Sequence, residues 1–414
     1  MAEASLPRMI DVDPWSIAIE DIDVSQRELW AENKKWDFFT RLRDEAPVHF
    51  CPESDFGPYW SVTRYADIME VENNWQSFSS DRTIVIDDPE EDFELPMFIA
   101  MDPPKHHDQR KTVQGVVAPV NLQALEGTIR ARVQDILDSL PVGREFNWVE
   151  QVSIELTTQM LATLFDFPFA DRHKLTRWSD VATGSPETGV VETEEQRREE
   201  LYECLEYFTR LWQERVDKPQ GIDLVSMLAH GEATQNMDPQ EYLGNLVLLI
   251  VGGNDTTRNS ITGGVLALHE NPNEYNKLRS NPALIPTLVS EIIRWVTPLA
   301  HMRRTVTKDC ELHGKTLRAG DKVVMWYVSG NRDERVIDRP NEFMIDRPRA
   351  RQHLSFGFGI HRCMGNRLAE MQLRILWEEI QNRFHKVEVV GQPQRVPSNF
   401  VHGFTELPVV LHAL

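Results

Sequence analysis

The sequence predicts a mainly helical protein with a smaller β-rich region. Three observations carry that prediction. From Val117 to Leu228 apolar residues recur at helical spacing in successive amphipathic segments. From Asp238 to Glu270 the chain is apolar on most sides, through Leu243, Leu246, Val247, Leu248, Leu249, Ile250 and Val251, as in a buried central helix. From Glu311 to Val328 short apolar runs alternate with turns at His313-Gly314 and Ala319-Gly320-Asp321, the pattern of a small sheet.

Composition bounds the rest. The chain has 414 residues, 41% of them hydrophobic, ample for a large core. No Pro/Gly/Ser tract divides it, so a single domain over 1–414 is expected. The stretch Met1 to Glu20 is polar and lacks the apolar run of a signal peptide or membrane anchor. Cys51, Cys204, Cys310 and Cys363 are widely separated, which fits a reducing cytoplasm, and no Cys-x-x-Cys pair is present to complete a zinc site. A formal net charge of −21 argues against nucleic acid as a partner.

Taken in order, Trp60 to Val71 predicts a strand running into a helix. Ile84, Val85 and Ile86 precede an acidic run, Asp87, Asp88, Glu90, Glu91 and Asp92, that reads as a solvated loop. In Asp102-Pro-Pro-Lys-His106-His-Asp-Gln-Arg110 the prolines suit the first positions of a helix. His106 and Arg110 then share one face and can both donate to carboxylates. Thr183 to Val191 joins two helices, either as a plain surface connection or as a lid. Glu192 to Glu200 is a solvated helix face. Glu291 and Arg294 share a face of an apolar helix, and if buried they must satisfy each other. The C-terminal part, Val396 to Leu411, has strand-like runs.

Near the end stands Phe356-Gly-Phe-Gly359-Ile-His361-Arg-Cys363-Met-Gly365. A helical pattern follows from Asn366 to Phe384, with Leu368, Met371, Leu373, Ile375, Leu376 and Ile380 on its apolar face. Cys363 therefore sits just before a helix N-terminus, where free amides and the positive dipole end favour a thiolate. Gly359 and Gly365 permit unusual backbone angles and close approach to a flat ligand. Phe356 is expected to pack against the sulfur side and keep water out. A sheltered thiolate held by amides is what a haem iron takes as axial ligand in oxygen-activating enzymes. A buried structural cysteine, or a zinc site with His361, are the bland readings, and neither explains the other motifs.

This Phe-x-x-Gly-x-His-x-Cys-x-Gly run resembles the cysteine-ligand loop of the cytochrome P-450 superfamily. The resemblance extends, in family order, to Asp-Pro-Pro-x-His-x-x-x-Arg, to Gly-Gly-x-Asp-Thr-Thr and to Glu-x-x-Arg. It implies the superfamily's helical fold, with the long central helix over haem b and Cys363 as axial ligand. His106, Arg110, Arg303 and His361 are implied as propionate partners, with Phe356 and Gly252 as further cofactor contacts. For Gly252 to Thr257 two readings stand. In one, the helix ends at the glycines and Asp255 caps the next. In the other, the helix runs on beside the cofactor, Thr256 bonds back to a carbonyl, and Asp255 and Thr256 relay protons during oxygen scission.

The resemblance also implies a pocket of Ile84, Val85, Ile86, Leu248, Leu299, Ala300, Met302, Phe400 and Val401. His301 reads equally as a polar turn residue or a cofactor contact. Glu291 and Arg294 are implied as a structural lock on the haem-binding side. Their usual third partner, an Arg or His before the Phe of Pro-x-x-Phe, is Glu342 here, which puts the three-way network in question. Arg347, Arg349, Arg351, Arg362 and Arg367 cluster around the cysteine loop, as a docking patch for an acidic electron carrier or simply as internal pairing and solubility.

The implied reaction inserts one atom of O2 into a C–H bond of an apolar substrate. A ferredoxin and its NAD(P)H-dependent reductase are the implied donors. The runs around Gly252, Pro298 and Cys363 look like the bacterial subgroup that hydroxylates the terminal carbon of n-alkanes and medium-chain fatty acids. A hydroxylase of a terpene or other compact ring is the alternative. A haem-thiolate gas sensor is a further one, against which the Asp255-Thr256 pair speaks.

Overall fold

Asp238 caps the 32-residue helix Pro239–Glu270, its side chain accepting from Glu241 N at 2.9 Å, and Pro239 takes the first position. The computed structural model describes residues 8–90 and 92–414, so Met1 to Pro7 and Glu91 lie outside the described residues. The central helix runs unbroken through Gly252–Thr257, so it does not end at the glycines. Its polar side chains there are satisfied sideways instead of capping. Thr157 Oγ1 donates to Asn254 Oδ1 at 2.7 Å, and Arg258 holds Asp255 at 2.6 Å. Gly253 has no side chain because a Cβ would fall 2.7 Å from Leu161 Cδ2. The core around this helix includes Trp148, Leu161, Trp178, Phe208, Ile292 and Leu376.

A five-stranded sheet flanks the helices. Its spatial order is Val48–Cys51, Tyr59–Val62, Lys322–Met325, Met302–Val306 and Phe78–Ser79. Only Tyr59–Val62 against Lys322–Met325 is parallel. Met302 faces Met325, Arg303 faces Val324 and Arg304 faces Val323. Because side chains alternate along a strand, Arg303 and Arg304 must lie on opposite faces. Cys310–Leu312 and Lys315–Leu317 form the hairpin expected at His313-Gly314, but as a separate two-stranded sheet. The strand and helix expected from Trp60 onward are Tyr59–Val62 and Tyr65–Asn73, and the helix after the cysteine loop spans Asn366–Arg383. Among the described residues no helix is long and apolar enough to cross a membrane.

The Glu291–Arg294 pair is wholly buried, with Arg294 Nη2 at 2.7 Å from Glu291 Oε1. The third partner is Arg347, whose Nε lies 2.9 Å from Glu291 Oε2. Glu342 contributes only its carbonyl, which accepts from Arg294 Nη2 and Arg347 Nη2. The three-way network is therefore complete, and Arg347 leaves the surface patch. Arg351 pairs with Glu370, while Arg349, Arg362 and Arg367 are exposed.

Candidate active site

A cavity of about 1150 Å³ opens between the cysteine loop, the central helix and residues 81–101. Cys363 is the one cysteine that lines it. Cys363 is exposed, and what it is exposed to is the cavity, which is ringed by protein. Burial pushes the thiol up, whereas the amides of Gly365 and Asn366 and the charges of Arg110 and Arg362 pull it down. The helix N-terminus thus acts in the expected direction, but burial outweighs it. Coordination to a metal would remove the proton outright. The loop is pinned by Cys363 N donating to Phe356 O at 2.8 Å. Gly359 has φ +64°, and a Cβ there would lie 2.5 Å from Glu72 O. Gly365, at φ −85°, needs no glycine for its angle; the second left-handed position is Gly357, at φ +64°.

Four nitrogen-bearing side chains meet beside the cysteine: His106, Arg110, Arg304 and His361 all line the cavity. Both ring nitrogens of His106 and Nδ1 of His361 are buried without a partner. Burial, reinforced by neighbouring cations, brings His106 down to about 4 and His361 to about 2. Arg110 Nη2 donates to Arg362 O at 2.5 Å, and Ser80 Oγ lies 2.8 Å from His361 Nε2. Unpaired buried donors crowded by positive charge call for anionic oxygens. Across from them, a Cβ at Gly252 would meet nothing within 4 Å. A thiol, an open glycine face and a cluster of donors fit haem, a flat macrocycle with two carboxylates.

Arg303 corrects the sequence reading. It faces away from the cavity and donates through Nη1 to Ile86 O, Asp87 O and Asp88 Oδ1, at 3.2, 2.8 and 2.7 Å. Arg304 is the arginine that reaches the cavity, and it was missed. Strand parity was the signal, since Met302 inward places Arg304 inward. Glu72 was missed as well. It accepts from Arg304 Nη2 at 2.8 Å, from Tyr327 OH, and from Phe358 N at 3.4 Å, tying this arginine to the cysteine loop.

Of the expected pocket residues, Ile84, Val85, Ile86, Leu248, Leu299, Met302 and Phe400 line the cavity, as do Phe356 and Gly252. Ala300 and Val401 do not. Ala300 N donates to Phe400 O at 2.8 Å and its side chain packs with Trp30 and Trp326, while Val401 bridges Leu299 through its backbone. His301 is no cofactor contact. It is fully buried, accepts from Ile86 N at 3.1 Å through Nε2 and donates to Asn399 O at 2.9 Å through Nδ1.

Thr256 lines the cavity, and its Oγ1 donates to Gly252 O at 3.0 Å. Asp255 is fully buried behind it, toward the helix His173–Thr183. Burial raises its carboxyl; Arg258 pulls the other way. Arg258 also reaches Asp180 at 2.9 Å. The connection after Thr183 borders the cavity through Gly184, Ser185, Glu187 and Thr188. The acidic run is exposed at Asp87, Asp88 and Asp92, as expected of a solvated loop, and it is also tied by ion pairs: Asp88 is held by Arg303 and Lys322, and Glu90 by Arg197 and Arg198. Among the described residues no group of three or more His, Cys, Asp or Glu side chains could hold a metal ion.

Comparison with known proteins agrees with this geometry. The family model Cytochrome P450 matches residues 127–408. Linalool 8-monooxygenase of Pseudomonas putida is 34% identical over 405 residues, covering 95% of this chain and 99% of that one. A methyl-branched lipid omega-hydroxylase of Mycobacterium tuberculosis is 31% identical over 418 residues, covering 97% of each. The solved structure of cytochrome P450-153 from Novosphingobium aromaticivorans is 48% identical, with a TM-score of 0.89 over 96% of this chain and 100% of that one. With the fold, the cysteine loop and these relatives in agreement, the chain belongs to the cytochrome P450 family and is a haem-thiolate monooxygenase.

Proposed function

We propose that this monooxygenase hydroxylates the terminal carbon of n-alkanes or medium-chain fatty acids. The observation that carries the reading is the apolar wall leading to Cys363, built by Val85, Leu248, Leu299, Met302 and Phe400. An extended chain lies there without leaving polar groups unpaired. The likeness to a lipid omega-hydroxylase and to cytochrome P450-153 supports it. The rim refines it. Asp55, Asp81, Asp87, Glu187 and Glu194 are exposed there. The arginines Arg27, Arg82 and Arg197 already pair with Glu187, Glu94 and Glu90. Such a mouth favours uncharged chains over carboxylates.

Haem, when bound, supplies the activation of O2; the chain supplies position and protons. Cys363 is the proposed thiolate ligand. His106, Arg110, Arg304 and His361 are proposed to hold the propionates. Thr256 presents a hydroxyl at the cavity wall, and Asp255 behind it, held by Arg258, is the proposed source of protons. The apolar wall orients the chain end and excludes water. Electrons come from a ferredoxin and an NAD(P)H-dependent reductase, docking near exposed Arg362 and Arg367. All four cysteines are free, which fits the cytoplasm.

The test is reconstitution with ferredoxin, reductase and NADH on a series of alkanes and fatty acids, locating the hydroxyl by mass spectrometry. Product mainly at inner carbons would overturn terminal attack. The second reading, a terpene hydroxylase, is favoured by the likeness to linalool 8-monooxygenase. Faster turnover of a terpene alcohol than of any alkane would establish it.

A further inference from the structure

A second cleft, of about 360 Å³, shares no lining residue with the cavity above Cys363. It lies between the helix Trp36–Glu45, the last turns of the central helix and of Ile285–Val296, and the strands at Arg395 and Phe404. Its walls are cationic and aromatic. The Arg332 guanidinium stands 3.7 Å from the Trp295 ring centroid and 4.5 Å from that of Trp36. Arg395 stands 4.6 Å from the Phe404 centroid. Fully buried behind the wall, Lys35 Nζ is 4.5 Å from the Trp36 ring and 4.9 Å from that of Trp30.

These cations have no carboxylate in direct contact, although Glu270 acts on Arg395 and Glu291 on Arg332 from farther off. Among the described residues none of the three makes an ion pair. Lys35 donates to Asn33 Oδ1 at 2.8 Å, and Arg332 reaches only two carbonyls, of Pro340 and Trp295, both at 3.4 Å. His402, 7% exposed, also lines the cleft. Its Nδ1 donates to Val296 O at 2.6 Å, while Nε2 has no partner. The cleft's own carboxylates, Asp37 and Glu270, are exposed. Two helix C-termini at the cleft contribute roughly half a negative charge each, less than the Arg332 and Arg395 guanidiniums require. Mutually repelling cations, Arg332 buried and Arg395 half-buried, are costly to hold together unless an anion joins them.

We propose that this cleft binds a small oxyanion, a carboxylate or a phosphate, held by Arg332 and Arg395. The planar guanidinium forks match either group. Binding would tie the helix Trp36–Glu45 to the end of the central helix and stabilise the folded chain.

The test uses haem-loaded protein in a zwitterionic buffer, titrated with sodium phosphate, sodium acetate or sodium chloride at matched ionic strength. A saturable rise in thermal midpoint with phosphate, acetate or both, absent with chloride, is expected, and the responding salt identifies the chemistry. Arg395→Gln should weaken that response about tenfold while keeping the carbon monoxide spectrum. Crystals soaked in selenate should show an anomalous peak between Arg332 and Arg395, a readout that needs no variant. Equal responses to all three salts, with no peak in the cleft, would overturn the proposal.

Discussion

Arg347 Nε lies 2.9 Å from Glu291 Oε2, on the carboxylate that already pairs with Arg294. One buried anion thus serves two buried cations. Arg294 in turn donates to Asn331 O and Pro340 O, each at 2.9 Å, so the network staples the segment before the cysteine loop. Arg347→Met leaves Glu291 balanced by Arg294 but takes a donor from the second side of its carboxylate and from the carbonyls of Arg339 and Glu342. It should cost about 1–3 kcal/mol and lower haem incorporation. Glu342→Ala, which keeps the carbonyl, should stay within about 0.5 kcal/mol. Urea unfolding of both variants checks the contrast.

Arg303 and Arg304 are neighbours with opposite duties. Arg304→Gln should weaken haem retention, measured by transfer to apomyoglobin, with unchanged proteolysis of residues 84–90. Arg303→Gln should do the reverse, because it frees Ile86 O, Asp87 O and Asp88. Equal haem loss from both would contradict the assignment.

Thr256→Ala should divert NADH consumption to peroxide with little change in stability. Asp255→Asn should slow turnover, on the order of 10²-fold, if that carboxyl supplies the protons. Peroxide yield per NADH and single-substrate turnover separate the two roles. Unchanged coupling in Thr256→Ala would refute the relay.

His301 is buried as the neutral ring, and burial holds it down to about 4 against an ordinary 6.5. Between those values the unfolded chain binds a proton that the folded chain does not. Stability must therefore fall as pH drops from about 6.5 to about 4, by roughly 3 kcal/mol from this group. His301→Gln should flatten the pH dependence of urea unfolding in that window by up to one proton. An unaltered slope would show that His301 is not the titrating group.

The local chemistry is legible in the order of residues: the cysteine before its helix, His106 and Arg110 one turn apart, and Glu291 and Arg294 on one face. Those patterns are short-range and follow from helical spacing. Long-range packing settles which of Arg303 and Arg304 reaches the cavity, that the central helix runs on past its glycines, that Arg347 completes the Glu291 network, and that Ala300 and Val401 turn away. The reason is physical. Which strand face is buried, and which residue 56 positions away fills a buried carboxylate's second side, depends on packing between distant segments, and no local periodicity records it.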